Sequence, residues 1–288
     1  MSRTAIGNWL AAPIVAAIAT ICLAPLAILF LFSFFSVDFV NIVKEPTFKN
    51  YWTIASSSTY RGLIAQAFLS ALVVVCITGV IGHPVAYFIA KRVKSAKSAF
   101  LVLLLVPLYT GDLVRIFAWR VLLGTEGALN TLLLWVGVID VPIEALLFSP
   151  LATHVVLVYN FLPFMVLGLW LSYESLDDHL LEAAGDLGAS GMSAFRRVTF
   201  PLTAPGLIAG GLMVFVMAVG EYLTPQLVGG ASGITIISAI NDLFGTAFDW
   251  PLGSAIAWTM LAILGFFFAA SAVVLGRTNW ARAVVGGE

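Results

Sequence analysis

Residues 173–204 read YESLDDHLLEAAGDLGASGMSAFRRVTFPLTA, a polar island between apolar runs at about 151–172 and 205–228. Within it Leu176, Leu180, Ala183, Ala184 and Leu187 recur at helical spacing. Asp177, Asp178, Glu182 and Asp186 keep the other side wet, the pattern of an amphipathic surface helix. Gly188 and the Ala-Ser-Gly after it end or turn that helix. A second short helical piece over 192–198 then leads to Phe200 and Pro201. A helix–turn–helix held along a membrane surface is well shaped to dock in a partner's groove. On pattern alone, a solvated interfacial helix without a partner fits as well.

Working outward, the flanking runs prove to be members of a series. Of 288 residues, 61% are hydrophobic and only 10% charged, against about 25% charge in an average soluble domain. The mean hydropathy is +1.04. A water-soluble fold cannot hide that much apolar surface. A span needs about 20 apolar residues to cross roughly 30 Å of hydrocarbon. Six stretches meet that length: 10–35, 63–90, 99–122, 151–172, 205–228 and 253–276. The expected fold is therefore all-α, a polytopic membrane protein of six transmembrane helices forming one domain over 1–288. The run at 10–35 follows a single basic residue, Arg3, exceeds a signal-peptide core and lacks a small-residue cleavage site, so it is read as the first helix. Between spans, 36–62 is polar, and 123–150 is punctuated by Gly, Asn and Pro with short apolar pieces such as 132–138, room for a short helix at the membrane surface.

Lys and Arg concentrate on cytoplasmic flanks. With the N-terminus inside, Arg3, Lys91, Arg92, Lys94, Lys97, Arg196, Arg197, Arg277 and Arg282 face the cytoplasm, and Lys44, Lys49 and Arg61 face out: nine against three. Counting Arg115 and Arg120 as external still leaves nine against five, so both termini are expected inside. Seven prolines, at 13, 25, 84, 107, 163, 205 and 225, lie in or at the ends of spans, where membrane helices tolerate kinks. Pro107 stands out, because Tyr109, Thr110, Gly111 and Asp112 follow it near mid-depth. The net charge of −1 gives no reason to expect nucleic acid. Cys22 and Cys76 sit in apolar runs as small hydrophobes, with no disulfide framework or metal pattern around them.

The island at 173–204 resembles the signature of the permeases of ATP-binding-cassette importers: Glu-Ala-Ala, three residues, Gly, nine residues, an aliphatic residue, one more, an apolar residue and Pro. Here Glu182, Ala183 and Ala184 are followed by Gly188, then Val198, Phe200 and Pro201 at matching spacing. Val198 for Ile and Phe200 for Leu are the departures, and both remain apolar. The resemblance implies the type I importer permease fold, with 173–204 as a cytoplasmic coupling segment inserting into a separate ATPase. No Walker A pattern occurs in this chain. The permease is thus expected to be no enzyme and to bind no cofactor of its own, with ATP and Mg2+ on the partner.

Further stretches extend the resemblance to the spermidine/putrescine permeases, the first of the two dissimilar permeases in such a system: Val106-Pro107 through Arg115 to Trp119, 129–140, 161–166, 181–190 and 249–255. It implies a second permease, two ATPase subunits and a periplasmic binding protein, all at the bacterial inner membrane. For a cationic solute, Asp112 and Glu221 are candidate pathway carboxylates, costly within a membrane unless they line a cavity or pair. Tyr109, Trp119, Tyr159 and Tyr222 offer aromatic faces. Alternatively, Asp112 and Arg115, at i and i+3, neutralise each other, and the aromatics anchor helices. Glu221 has no evident partner nearby in sequence. His83 and His154 read as packing or interfacial residues and His179 as solvated.

Relatives with the same pattern import other amines, amino-acid-like compounds or ferric iron, so cargo stays open at this stage. An ion-coupled secondary transporter fits poorly without detectable inverted repeats. A membrane-embedded enzyme lacks H-E-x-x-H or an evident catalytic pair. A channel leaves the Glu-Ala-Ala segment unexplained.

Overall fold

The computed structural model describes residues 3–39 and 41–277. They form α1 (Arg3–Phe32), a hairpin of β1 (Ser36–Asp38) and β2 (Asn41–Val43), α2 (Lys49–Ser56), α3 (Ser58–Tyr87), α4 (Lys97–Leu105), α5 (Asp112–Leu123) and α6 (Ala128–Trp135). The chain continues through α7 (Pro150–Glu174), α8 (Asp178–Asp186), α9 (Gly191–Ala194), α10 (Phe200–Gly220), α11 (Leu223–Val228), α12 (Ile236–Gly245) and α13 (Trp250–Arg277). Among the described residues, four helices are long and apolar enough to cross a membrane, or five if the bent pair around α4 and α5 counts as one span, and Ala16–Phe32 is a shorter apolar stretch.

Several expected spans shift, each for a local reason. The stretch at 99–122 is not one helix: the segments on either side of residues 110–111 meet at 91°. Pro107 lacks the N–H that would continue the α ladder. The chain tightens into a 3₁₀ turn over Val106–Tyr109, Thr110 N–H closes back on Pro107 O at 3.2 Å, and Thr110 and Gly111 run extended before α5 begins at Asp112. The run at 205–228 begins earlier and stops earlier, because α9, a π turn at Phe195–Thr199 and α10 form one rod, Gly191–Gly220. Phe200 N–H bonds Phe195 O five residues back, a widened turn that accommodates Pro201, which has no N–H to give. Glu221 turns extended and α11 is separate. The hairpin at 36–43 and α12 went unforeseen.

The chain divides into two compact units, residues 1–62 with 238–265, and 63–237 with 266–288. In the first, the end of α1 is closed by side chains from α2. Asn50 Nδ2 donates to the carbonyls of Ser33 at 3.0 Å and Phe35 at 2.8 Å, satisfying acceptors in the turn just past the helix end. The buried Ser33 hydroxyl donates to Phe30 O and meets the Tyr51 hydroxyl at 2.8 Å. Phe30 packs edge-to-face on Trp258 of α13, with ring centroids 4.9 Å apart.

In the second unit, α7 and α10 approach backbone to backbone. A Cβ on Gly206 would run into Gly168 O and the Ser172 side chain, and one on Gly168 would sit 2.9 Å from Gly210 Cα. Gly206 and Gly210 make a small-xxx-small stripe, which lets membrane helices gain dispersion contact where no hydrophobic driving force separates helix from lipid. Val156, Met165, Val166, Leu169 and Val214 are fully buried here. The excursion at 124–143 is pinned by Asn130. Its amide donates to Gly124 O and Ile143 O, and its Oδ1 accepts from Ile143 N at 2.9 Å. A buried polar group is tolerable in such a place when it is satisfied.

Candidate functional site

The polar segment 173–204 is built as a closed clamp. Asp177 caps α8, its Oδ1 accepting from His179 N at 3.0 Å, and Asp178 follows in the first turn, where the helix dipole favours negative charge. At the other end Gly188 takes φ +77°. Its N–H donates to Gly185 O at 2.8 Å, while Ala189 N–H reaches back to Ala184 O at 3.0 Å. These two bonds form a Schellman motif, whose left-handed position favours glycine. No atom lies within 4 Å of a Cβ built on Gly188, so the requirement is conformational rather than steric. Ser190 then caps α9, its Oγ accepting from Ser193 N, and α9 passes without interruption into α10.

Two lysines tie the clamp down. Lys91, in the π turn that ends α3, donates to Leu176 O at 2.6 Å and pairs with Asp178 at 2.8 Å, and Lys97 pairs with Glu174 at 2.7 Å. The hydrogen bond from Lys91 holds the Asp178 carboxyl below its usual range. In the sequence these lysines registered only as topological charge, because their partners are more than eighty residues away for Lys91 and 77 away for Lys97.

Of the expected apolar stripe, Leu176 turns inward. Leu180 and Leu187 stay 47% and 89% exposed, as does Met192 at 69%. Glu182 and Ala183 are exposed beside them, whereas Ala184, Val198 and Pro201 are half-buried. Glu182 Oε2 lies 3.2 Å from His179 Nδ1, with both side chains in solvent. Large apolar side chains uncovered together and rimmed by acids make a surface suited to a protein partner.

The second candidate region is a cavity of about 350 Å3 lined by Asp112, Arg115, Asn160, Gly220 and Glu221, with apolar residues between them. The break before α5 puts Asp112 on the first turn of that helix, and the end of α10 delivers Glu221. Asp112 pairs with Arg115, one of the two arrangements the i, i+3 spacing allowed. The Arg115 side chain is only 10% exposed, and its Nε and Nη1 and the Oδ1 of Asn160 are buried without a partner. Glu221 does have a local partner, contrary to expectation: its Oε1 accepts from Thr224 N at 3.0 Å, capping α11. Two acidic side chains and one guanidinium line the cavity, a formal excess of one acid.

The four aromatic candidates do not line this cavity. Trp119 stacks edge-to-face on Tyr159 with centroids 5.3 Å apart and packs on the buried cluster of Ile116, Leu123 and Val156. Tyr109 is 90% exposed and Tyr222 half-buried at the start of α11. Their residue type alone marks them out; the cavity's aromatic lining is instead Phe161 and Phe164.

No family model matches the chain. Among curated proteins, the spermidine/putrescine transport system permease protein PotB of Escherichia coli is 40% identical over 233 residues, covering 81% of this chain and 84% of that protein. Its namesake in Haemophilus influenzae is 35% identical over 255 residues, covering 85% and 86%. Among solved structures, a bacterial ABC transporter importing the acidic polysaccharide alginate matches with a TM-score of 0.67 at 17% identity, covering 93% of this chain and 96% of that one. The same type of transporter, bound to an alginate-loaded periplasmic protein, matches with a TM-score of 0.71 at 14% identity and 94% coverage of both chains. At such identity these structures speak for the fold alone. The chain belongs to the spermidine/putrescine transport system permease family, on the helical fold of ABC transporter permeases.

Proposed function

We propose that this chain is one of two permease subunits of an ATP-driven importer in the bacterial inner membrane, and that it carries polyamines, spermidine or putrescine, handed over by a periplasmic binding protein. It spans the membrane six times with both termini in the cytoplasm. Two copies of a separate ATPase, binding ATP and Mg2+, complete the assembly, one of them docking on the segment 173–204, and the permease itself catalyses nothing. The observation that carries this reading is the clamp: an α8 with an uncovered apolar face, closed at Gly188 and continued by an unbroken 30-residue rod, Gly191–Gly220. A surface that a partner moves, joined to a span without a hinge, suits conversion of ATPase closure into alternating access. Glu182, Ala183, Ala184 and Gly188 form the docking element, and Val198 and Pro201 the start of the rod.

The cavity with Asp112 and Glu221 supports a cationic cargo, since its excess of acidic side chains has the right sign to attract ammonium groups. Trp119, Tyr159, Tyr109 and Tyr222 are secondary, supporting helices around it. The test is the ATPase activity of the reconstituted complex in lipid, with binding protein loaded in turn with spermidine, putrescine, an amino acid and ferric iron. Stimulation by a polyamine is expected. Stimulation by another ligand would replace the cargo and keep the importer, and uptake without any ATPase would overturn the importer.

A further inference from the structure

A second cavity, of about 720 Å3, lies where the clamp meets α3, α7 and the start of the Gly191–Gly220 rod. Its walls are mostly apolar, drawn from Val80, Pro84, Tyr87, Leu181, Phe195 and Phe200. His83, Tyr173 and Thr199 add polar side chains to the lining. The Nδ1 of His83 lies 3.1 Å from the Tyr173 hydroxyl, and its Nε2 is buried without a partner. When the tyrosine donates to Nδ1, the ring proton sits on Nε2 as an unused donor. Val80 and Phe200 are 74% and 42% exposed, so the slot opens onto the outer surface of the helices.

The segments that wall this slot also carry exposed cations. Arg196 and Arg197 stand exposed between its two phenylalanines, and Arg92 stands exposed at the end of the π turn after α3. Among the described residues none of these three is in an ion pair, whereas Lys91 and Lys97 are engaged by Asp178 and Glu174. A mostly apolar slot with one unused buried nitrogen, and exposed guanidinium groups on the segments that wall it, matches an anionic amphiphile. Neither a water-soluble anion nor a neutral lipid would use both features.

We propose that this slot binds an anionic phospholipid of the cytoplasmic leaflet. An acyl chain fills the cavity, a glycerol ester carbonyl accepts from His83 Nε2–H, and the phosphate is drawn to Arg92, Arg196 and Arg197. The proposal rests on the orientation given under Proposed function, with 173–204 in the cytoplasm. Because Leu181 of α8 and Ala194 of α9 both line the slot, a bound chain would stiffen the joint between clamp and rod and make transport depend on lipid charge.

The test is native mass spectrometry of the assembled complex, titrated with dioleoyl phosphatidylglycerol or dioleoyl phosphatidylcholine. Wild type is expected to retain phosphatidylglycerol roughly tenfold better. Ala194→Phe, which fills the slot, should lose retention, and so should Arg196→Gln with Arg197→Gln, which leaves its packing intact. Arg196→Lys with Arg197→Lys should keep it. Equal retention of the two lipids by wild type, or an unchanged preference in the Gln pair, would overturn the proposal. So would cross-linking of Val80→Cys to the second permease, which would mean that a protein segment fills the slot. Orientation is read separately, by labelling Arg92→Cys with an impermeant maleimide in sealed vesicles of known sidedness. Labelling from the periplasmic side alone overturns the topology, whereas cytoplasmic labelling without lipid preference overturns only the lipid.

Discussion

Replacing Gly188 isolates the conformational role of the clamp. At φ +77° an L-residue with a Cβ costs about 1–2 kcal/mol. The alternative is to unwind the motif and give up two hydrogen bonds, of 2.8 and 3.0 Å, at about 0.5–1.5 kcal/mol each. Both routes cost roughly the same, so the closed clamp should become about 5–30 times less populated relative to open forms. A Cβ meets nothing within 4 Å, so size should matter little. Gly188→Ala and Gly188→Leu should therefore be similarly impaired, while Gly188→Asn, whose side chain tolerates the left-handed region, should be mild. The assay is polyamine uptake per ATP hydrolysed in proteoliposomes, with membrane insertion checked in parallel. Wild-type coupling in Gly188→Ala would refute the conformational argument. A leucine variant far worse than alanine would place the glycine's importance in the partner's cleft instead.

Other perturbations separate structure from transport. Gly206→Leu should lower the thermal stability of the purified protein by about 1–3 kcal/mol or prevent folding, because it forces α7 and α10 apart. Gly62→Ala, on α3 with nothing within 4 Å, should instead gain about 0.5–1 kcal/mol, and equal behaviour of the two would contradict the close helix contact. Glu221→Gln keeps an oxygen to accept from Thr224 N–H and removes only charge, and Asp112→Asn does the same at the other carboxylate. Uptake should fall in each while binding-protein docking and basal ATPase persist, and full uptake in both would make these residues structural. For Asp178 the folded pKa is lowered, so its contribution is present above the ordinary carboxyl value and is lost as pH falls through the lowered one. The difference in thermal stability between wild type and Asp178→Asn should thus be seen at neutral pH and close in acid; a gap that widens in acid would reverse the assignment.

How much was legible depended on whether a feature was local in sequence. The amphipathic pattern around Leu176 to Leu187 and the turn at Gly188 depend on neighbours within a few residues, and a Schellman motif closes there. Helix ends were harder. Pro107 carried a visible signal, and the helix breaks beside it. Pro201 carried the same signal and breaks nothing, because a π turn five residues wide absorbs the missing donor. The partner of Glu221 is only three residues away, yet no side-chain pattern marks it, because Thr224 contributes its backbone N–H rather than its side chain. Lys91 and Lys97 were beyond reach altogether, since nothing along the chain links them to the loop they hold.

Under the proposed function, those distant lysines bear on how a movement of the clamp would reach the spans. Loop 173–204 has two arms. The first, α8, is tied at its start to α3 by Lys91, which bonds both a backbone carbonyl and a carboxylate. The second, α9, is the beginning of the rod ending at Gly220, and the next residue is Glu221, a lining residue of the polar cavity. A displacement of the clamp would thus be carried by α10 along its length to one wall of that cavity, while Asp112 and Arg115 on α5 form another wall. Because Gly206 and Gly210 of α10 have no Cβ to hold them off α7 and pack close to its backbone, the rod has little freedom to bend away from its neighbour. A partner that moves the clamp by a few ångströms would then move Glu221 as well, with the charge balance of the cavity changing as the carboxylate approaches or leaves Arg115.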